Sequence, residues 1–152
     1  ILYIRSLDGM QKDSFPAVSD FGFAPKGNVL YFVSDSVLYT YMPKKGNSRI
    51  SAGKGVFKKI AFDETGSKLA YLFCTDKDSA STRSSLYLAE NNAPGKRIAE
   101  RGDKAFPTSW IISENGVLHF SENANRLFFG TAPEPRQKDT TILAENRPDV
   151  QV

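Results

Sequence analysis

The chain has 152 residues, 40% of them apolar and 12% aromatic, with a net charge of +3 and an isoelectric point near 9. That length predicts one domain with enough apolar mass for a core, and no window approaches the roughly 18 consecutive apolar residues of a membrane span. The positive excess falls in pairs, Lys44-Lys45 and Lys58-Lys59, not in the stripe expected of a nucleic-acid footprint, and Cys74 is the single cysteine, which excludes an internal disulfide and a cysteine-based metal cluster.

The opening Ile1-Leu2-Tyr3 carries no charged-then-apolar leader, so no targeting signal is expected. Residues 1–8 alternate loosely and end at Asp8-Gly9, a strand followed by a turn. Residues 10–17 are polar and contain Pro16, which suits an edge or a connector. Residues 18–24 predict a strand with Phe21 and Phe23 on one face, since side chains alternate. Pro25-Lys26-Gly27-Asn28 is a turn by composition, and residues 29–34, nearly all apolar, read as a strand buried on both faces. Asp35-Ser36 turns the chain into residues 37–42, residues 43–47 turn it again, and residues 48–52 suit a short edge strand.

The same order follows at once. Residues 56–62 predict a strand, 63–66 a turn, 68–75 a strand, 76–85 a polar insertion, 86–89 a strand, 91–95 a turn and 96–99 a short strand. Residues 101–115 interrupt the rhythm, as an inserted hairpin or a loop packed by its own Pro107, Trp110, Ile111 and Ile112. Residues 116–121 and 126–131 predict another hairpin, 132–148 a long charged insertion, and 149–152 a further strand. No stretch carries a helical apolar period, so the fold class expected is all-β.

The repetition has a written form, apolar-x-Phe-x-x-x-(Gly/Ala)-x-x-Leu-x-(Phe/Tyr). Phe21, Phe23, Gly27, Leu30 and Phe32 fill it first. Ile60, Phe62, Gly66, Leu69 and Tyr71 fill it next, then Leu118, Phe120, Ala124, Leu127 and Phe129. Tyr3, Tyr39 and Tyr87 mark equivalent third strands. The unit is therefore four strands, and the 39 residues from Phe23 to Phe62 approach the period of a β-propeller blade, about 40–50 residues. The expectation is a partial propeller of roughly three four-stranded antiparallel blades, in pieces near 1–15, 18–52, 56–100 and 106–152, cut within a blade at both ends. A ring needs about four blades to close, so the piece must leave apolar faces exposed, self-associate through exposed blade edges, or close in another way. The aromatic residues at period 2 are expected in the core.

The run from Phe23 to Phe32, F-A-P-K-G-N-V-L-Y-F, resembles the propeller repeats of prolyl oligopeptidase-type serine peptidases, and also those of the periplasmic Tol translocation protein. The run from Ile112 to Pro133, I-S-E-N-G-V-L-H-F-S-E-N-A-N-R-L-F-F-G-T-A-P, resembles a stretch of large bacterial secreted peptidases of the dipeptidyl aminopeptidase/prolyl oligopeptidase group. The resemblance implies a parent in which the propeller filters peptide access to a C-terminal α/β-hydrolase domain, periplasmic or extracellular. Its nucleophile would lie in a Gly-x-Ser-x-Gly elbow. These 152 residues contain no such elbow, so no catalytic residue carries over and the piece is expected to be non-catalytic. The alternative is an interaction propeller of the Tol type with no enzyme attached.

The remaining chemistry is sparse. His119 is the only histidine and, without a cysteine partner, reads as strand packing rather than a zinc ligand or a catalytic base. Asp76 and Asp78 alternate as acids but lack the other ligands of a calcium loop, and Asp63, Glu64 and Glu122 read as turn acids. No cofactor and no metal is expected. Two residues stand out as candidate contacts for a peptide or a partner: Trp110, in a Pro-flanked loop, and Arg136, in the 132–148 insertion. The partners implied are the parent's own hydrolase domain and the peptide passing to it, with no nucleic acid and no membrane span.

Overall fold

The computed structural model describes residues 1–75 and 83–136, and among them there is no helix. The first hairpin pairs β1 (Leu2–Arg5) with β2 (Lys12–Phe15), Leu2 opposite Phe15. Its turn is held by the Asp8 carboxylate, which accepts from Ser6 Oγ and from the Met10 amide. The segment expected as an edge or connector is thus a paired edge strand.

A four-stranded antiparallel meander follows: β3 (Val18–Phe23), β4 (Leu30–Ser34), β5 (Val37–Met42) and β6 (Gly46–Arg49), in that spatial order. Asp35 and Ser36, with φ of 49° and 63°, form the two-residue turn between β4 and β5, and left-handed φ at both positions matches the twist of the flanking strands. The edge strand starts two residues earlier than its sequence suggests, because Ile50, expected within it, leaves the ladder and is buried between sheets.

A second meander repeats the order with β7 (Val56–Phe62), β8 (Lys68–Cys74), β9 (Ser85–Glu90) and β10 (Lys96–Ala99). As expected for a strand covered on both faces, five successive residues of β8, Leu69 to Phe73, are buried. Cys74 closes β8 and is half-buried rather than core. The third unit is less complete. Trp110–Ile112 (β11) pairs with Thr131–Pro133 (β14), and inside that ladder His119–Phe120 (β12) pairs with Leu127–Phe128 (β13). The two ladders form one interrupted hairpin, in which residues 113–118 on one arm face 129–130 on the other. The interval 101–115 is therefore no separate hairpin: its last third continues the leading strand beyond a bulge. The same bulge exists in miniature in both complete sheets, as a register shift between Val18 and Asp20 and between Phe57 and Lys59. The strand expected at 149–152 and most of the 76–85 insertion lie outside the described residues.

The sheets stack face to face through three cores. Leu2, Ile4 and Phe15 of the first hairpin pack on Leu30, Phe32 and Tyr41. The opposite face of that sheet, with Val33, Leu38 and Ile50, packs on Leu69, Tyr71, Phe73 and Ala89 of the next. Leu72, Leu86 and Ala99 then pack on Ile112, Leu118, Leu127 and Phe129, and Phe106 from the interrupting segment joins them. Within each complete sheet the third-strand tyrosine lies flat on the second-strand aromatic opposite it. Tyr39 stacks on Phe32 at 5.2 Å, and Tyr87 on Tyr71 at 5.3 Å.

The expectation that every period-2 aromatic is core fails at the ends. Phe23 is 68% exposed, its repeat-mate Phe62 is partly buried, and Phe120 is 5% exposed. The reason is the neighbour. Phe23 faces the side where only the two strands of the first hairpin are present, while Phe62 faces a full sheet.

Candidate functional site

Two places gather polar chemistry. The first is the row of turns at one end of the stack. Asp63, 3% exposed, accepts from the Lys68 amide at 2.9 Å, from Thr65 Oγ1 at 2.8 Å and from Ser67 Oγ at 3.1 Å. Burial alone raises its carboxyl, but these hydrogen bonds together outweigh burial and leave it below the ordinary carboxylate range. Gly66 holds φ at +79°, a conformation costly for any residue with a Cβ. The turn of the preceding sheet sits directly on this one. The Lys26 amide donates to the Glu64 carbonyl at 2.7 Å, and their side chains pair at 3.0 Å. A Cβ on Gly27 would stand 2.1 Å from the Thr65 carbonyl oxygen, so only glycine allows the approach. On the other side Lys68 Nζ reaches the Ala124 carbonyl at 2.8 Å. In the third turn Ser121 takes the place of Asp63, its hydroxyl accepting from the Arg126 amide at 3.0 Å. The turn acids are structural, as their sequence context suggests.

The second place surrounds β11 and β14. Trp110 is half-buried opposite Pro133, and the next residue, Glu134, donates its amide to the Ser109 carbonyl at 2.8 Å. The Glu134 carboxylate accepts from Arg83 through Nε at 3.1 Å and Nη2 at 2.5 Å, and from Arg101 Nη2 at 2.7 Å. The hydrogen bond from Arg83 is the main reason its carboxyl is held below the ordinary range, against a smaller opposing effect of desolvation and with help from the Arg101 charge. Two guanidinium groups against one carboxylate leave the cluster net positive. Arg101, with Phe106, Pro107 and Trp110, lines a groove of about 460 Å³. Close by, Glu114 accepts from Ser84 Oγ at 3.0 Å and faces Lys58 Nζ at 3.9 Å.

Of the two residues singled out from sequence, Trp110 belongs to this groove. Arg136 is exposed beyond β14, and the charges that the structure sets beside Trp110 are those of Arg101 and Glu134. Arg83 and Glu134 lie 51 positions apart, and no spacing rule links them. The one available signal is the long insertion that each borders. His119 is exposed on β12, not packed within a core. Asp76 and Asp78 lie outside the described residues. Among the described residues no group of three or more His, Cys, Asp and Glu side chains is placed to hold a metal ion. The arrangement suits recognition, through an aromatic face beside a fixed guanidinium, more than bond making, because no nucleophile and base stand together in it. No protein-family model, no curated protein and no solved structure matches the chain.

Proposed function

We propose that this chain is a non-catalytic β-propeller segment of a prolyl oligopeptidase-type serine peptidase, a scaffold and substrate-access filter for a hydrolase domain outside these 152 residues. The observation that supports the propeller reading is the stacking of four-stranded meanders with their first strands and inner turns in register, Lys26 on Glu64 and Lys68 on Ala124. Each meander buries both faces only against its neighbours, which is the construction principle of a blade. The peptidase reading rests on the resemblance of residues 23–32 and 112–133. The groove at Trp110 and Arg101 is the surface on which a peptide carboxylate or an acidic partner strand would be received, in a periplasmic or extracellular setting.

Two measurements test this. The purified chain, offered proline-containing and generic peptides, is expected to show no turnover above buffer; hydrolysis abolished by a serine-directed inhibitor overturns the non-catalytic role. The coding sequence beyond Val152 is expected to contain Gly-x-Ser-x-Gly followed by Asp and His. A stop shortly after a closed ring would instead leave an interaction propeller of the Tol type.

A further inference from the structure

The two incomplete ends are halves of one unit. In both complete sheets the second strand pairs with the third so that an aromatic residue lies opposite a tyrosine, Phe32 with Tyr39 and Tyr71 with Tyr87. At the end of the stack Phe129 occupies the second-strand position, and no third strand flanks it among the described residues. At the start Tyr3 occupies the third-strand position, 73% exposed, and no second strand flanks β1 among the described residues. Eight of the nine large apolar side chains that are exposed lie at these two ends: Ile1, Tyr3, Leu7, Met10, Phe21 and Phe23 at one, Val117 and Phe128 at the other.

We propose that a second copy of this chain completes both halves. Strands β13 and β14 of one copy pair antiparallel with β1 of the other, Phe129 opposite Tyr3 and Leu127 opposite Arg5, and the reciprocal pairing closes two chains into a ring of six four-stranded sheets. The register follows from the repeat, since Leu30 and Leu69 fix the offset in the complete sheets. Two further contacts fall into place without adjustment. Tyr31 packs on Phe62 of the following sheet at 5.8 Å, and their repeat-mates Phe128 and Phe23, 54% and 68% exposed, would meet across the joint. Lys68 caps the Ala124 carbonyl, and Arg126 stands in the position to cap the Gly27 carbonyl of the other copy.

A second copy is the occupant that the geometry favours because it continues an interface already formed. The first hairpin is seated on its neighbouring sheet through Leu2, Ile4 and Phe15. The space beside it is a groove of about 350 Å³ lined in part by Ile4, Leu7, Phe23 and Leu30, at the place the inner half of that sheet would fill. The four exposed aromatics alone would remove about 500 Å² at each joint if full burial of one removes about 200 Å². With the paired edges, the two joints together reach the roughly 1,200–2,000 Å² of a stable interface. A six-membered ring lies within the usual four to eight blades. The proposal concerns how these 152 residues complete their sheets and does not depend on the peptidase reading.

Light scattering after gel filtration at micromolar concentration should give twice the 16.8 kDa chain mass. Phe23→Glu should return the mass to that of one chain while keeping the far-ultraviolet β spectrum. In a Cys74→Ser background, a Tyr3→Cys chain mixed with a Phe129→Cys chain should form a disulfide-linked pair on mild oxidation, and neither alone should. A monomeric parent chain overturns the proposal, as it would if residues 137–152 or another protein covered the edge. So does a dimer that Phe23→Glu leaves intact, or linkage within Tyr3→Cys alone.

Discussion

The seam between the two complete sheets and the seam at the start of the chain are built from the same repeat, yet they differ in what they cover. In the central seam Phe62 lies against Tyr31 and the core of Leu38, Ile50 and Tyr71 closes around it. In the first seam Phe23, at the same repeat position, stands largely in solvent, because the hairpin above it supplies two strands where the central seam has four. Burial here is a property of the pair of sheets, not of the strand. The repeat sets which residues point at a neighbour, and the neighbour sets what that is worth.

The contrast can be broken at its strongest point first. Leu38→Ala removes a fully buried side chain of the central core and should cost about 3 kcal/mol in urea unfolding, through lost transfer energy and a cavity. A loss below about 1 kcal/mol would mean that the two faces do not pack. Asp63→Ala strips the central turn of its buried acceptor and orphans the Lys68 amide, an expected loss of about 2 kcal/mol. An equal loss from Glu122→Ala, an exposed turn acid, would contradict the assigned role of Asp63.

The aromatic pair sharpens the comparison directly. Phe62→Ala should cost about 1.5–2 kcal/mol, and Phe23→Ala less than about 0.5 kcal/mol when both are measured under conditions where the chain is monomeric. Equal costs would show that the exposure of Phe23 is not its state in solution. The smallest effect concerns the charged cluster at the other end. Since the folded Glu134 carboxyl lies below its ordinary value of 4.5, the contact contributes fully above that value and is lost as pH falls through the lowered one. Trp110 is the only tryptophan, so its emission should change in that acid range. Glu134→Gln should abolish the change, and an unaltered profile in that variant would rule out Glu134 as its origin.

What could be read from the residues alone follows the range of the interactions. Alternation and turn composition are local, and they located β3, β4, β5, β7, β8 and β9 to within a residue or two. The tyrosines of the third strands gave the unit, since Tyr39 and Tyr87 occupy matching registers. Ile50 was misplaced because an apolar residue beside a short edge strand looks like part of it, whereas the core between sheets draws it out of the ladder. His119 was misplaced because its neighbours Leu118 and Phe120 face inward, which at period 2 turns the histidine outward. Glu134, Arg83 and Arg101 were not foreseen as a group. Their meeting depends on how the interrupted hairpin lies on the second meander, and no pattern within one strand encodes it.

The bulge in the leading strands carries a consequence for how such chains diversify. One residue is out of register at Ser19 and at Lys58, whereas in the third unit the arms between the ladders differ in length by several residues, and pairing resumes on both sides in each case. The ladder hydrogen bonds on either flank tolerate whatever is spliced between them, and closure of a longer loop adds only slowly to the entropic cost. This point of each sheet is therefore a port at which sequence can be inserted while both faces stay sealed. The Trp110 groove lies beside the port that has grown largest, so new recognition surfaces can be grafted at the matching positions of the other two sheets without redesigning a core.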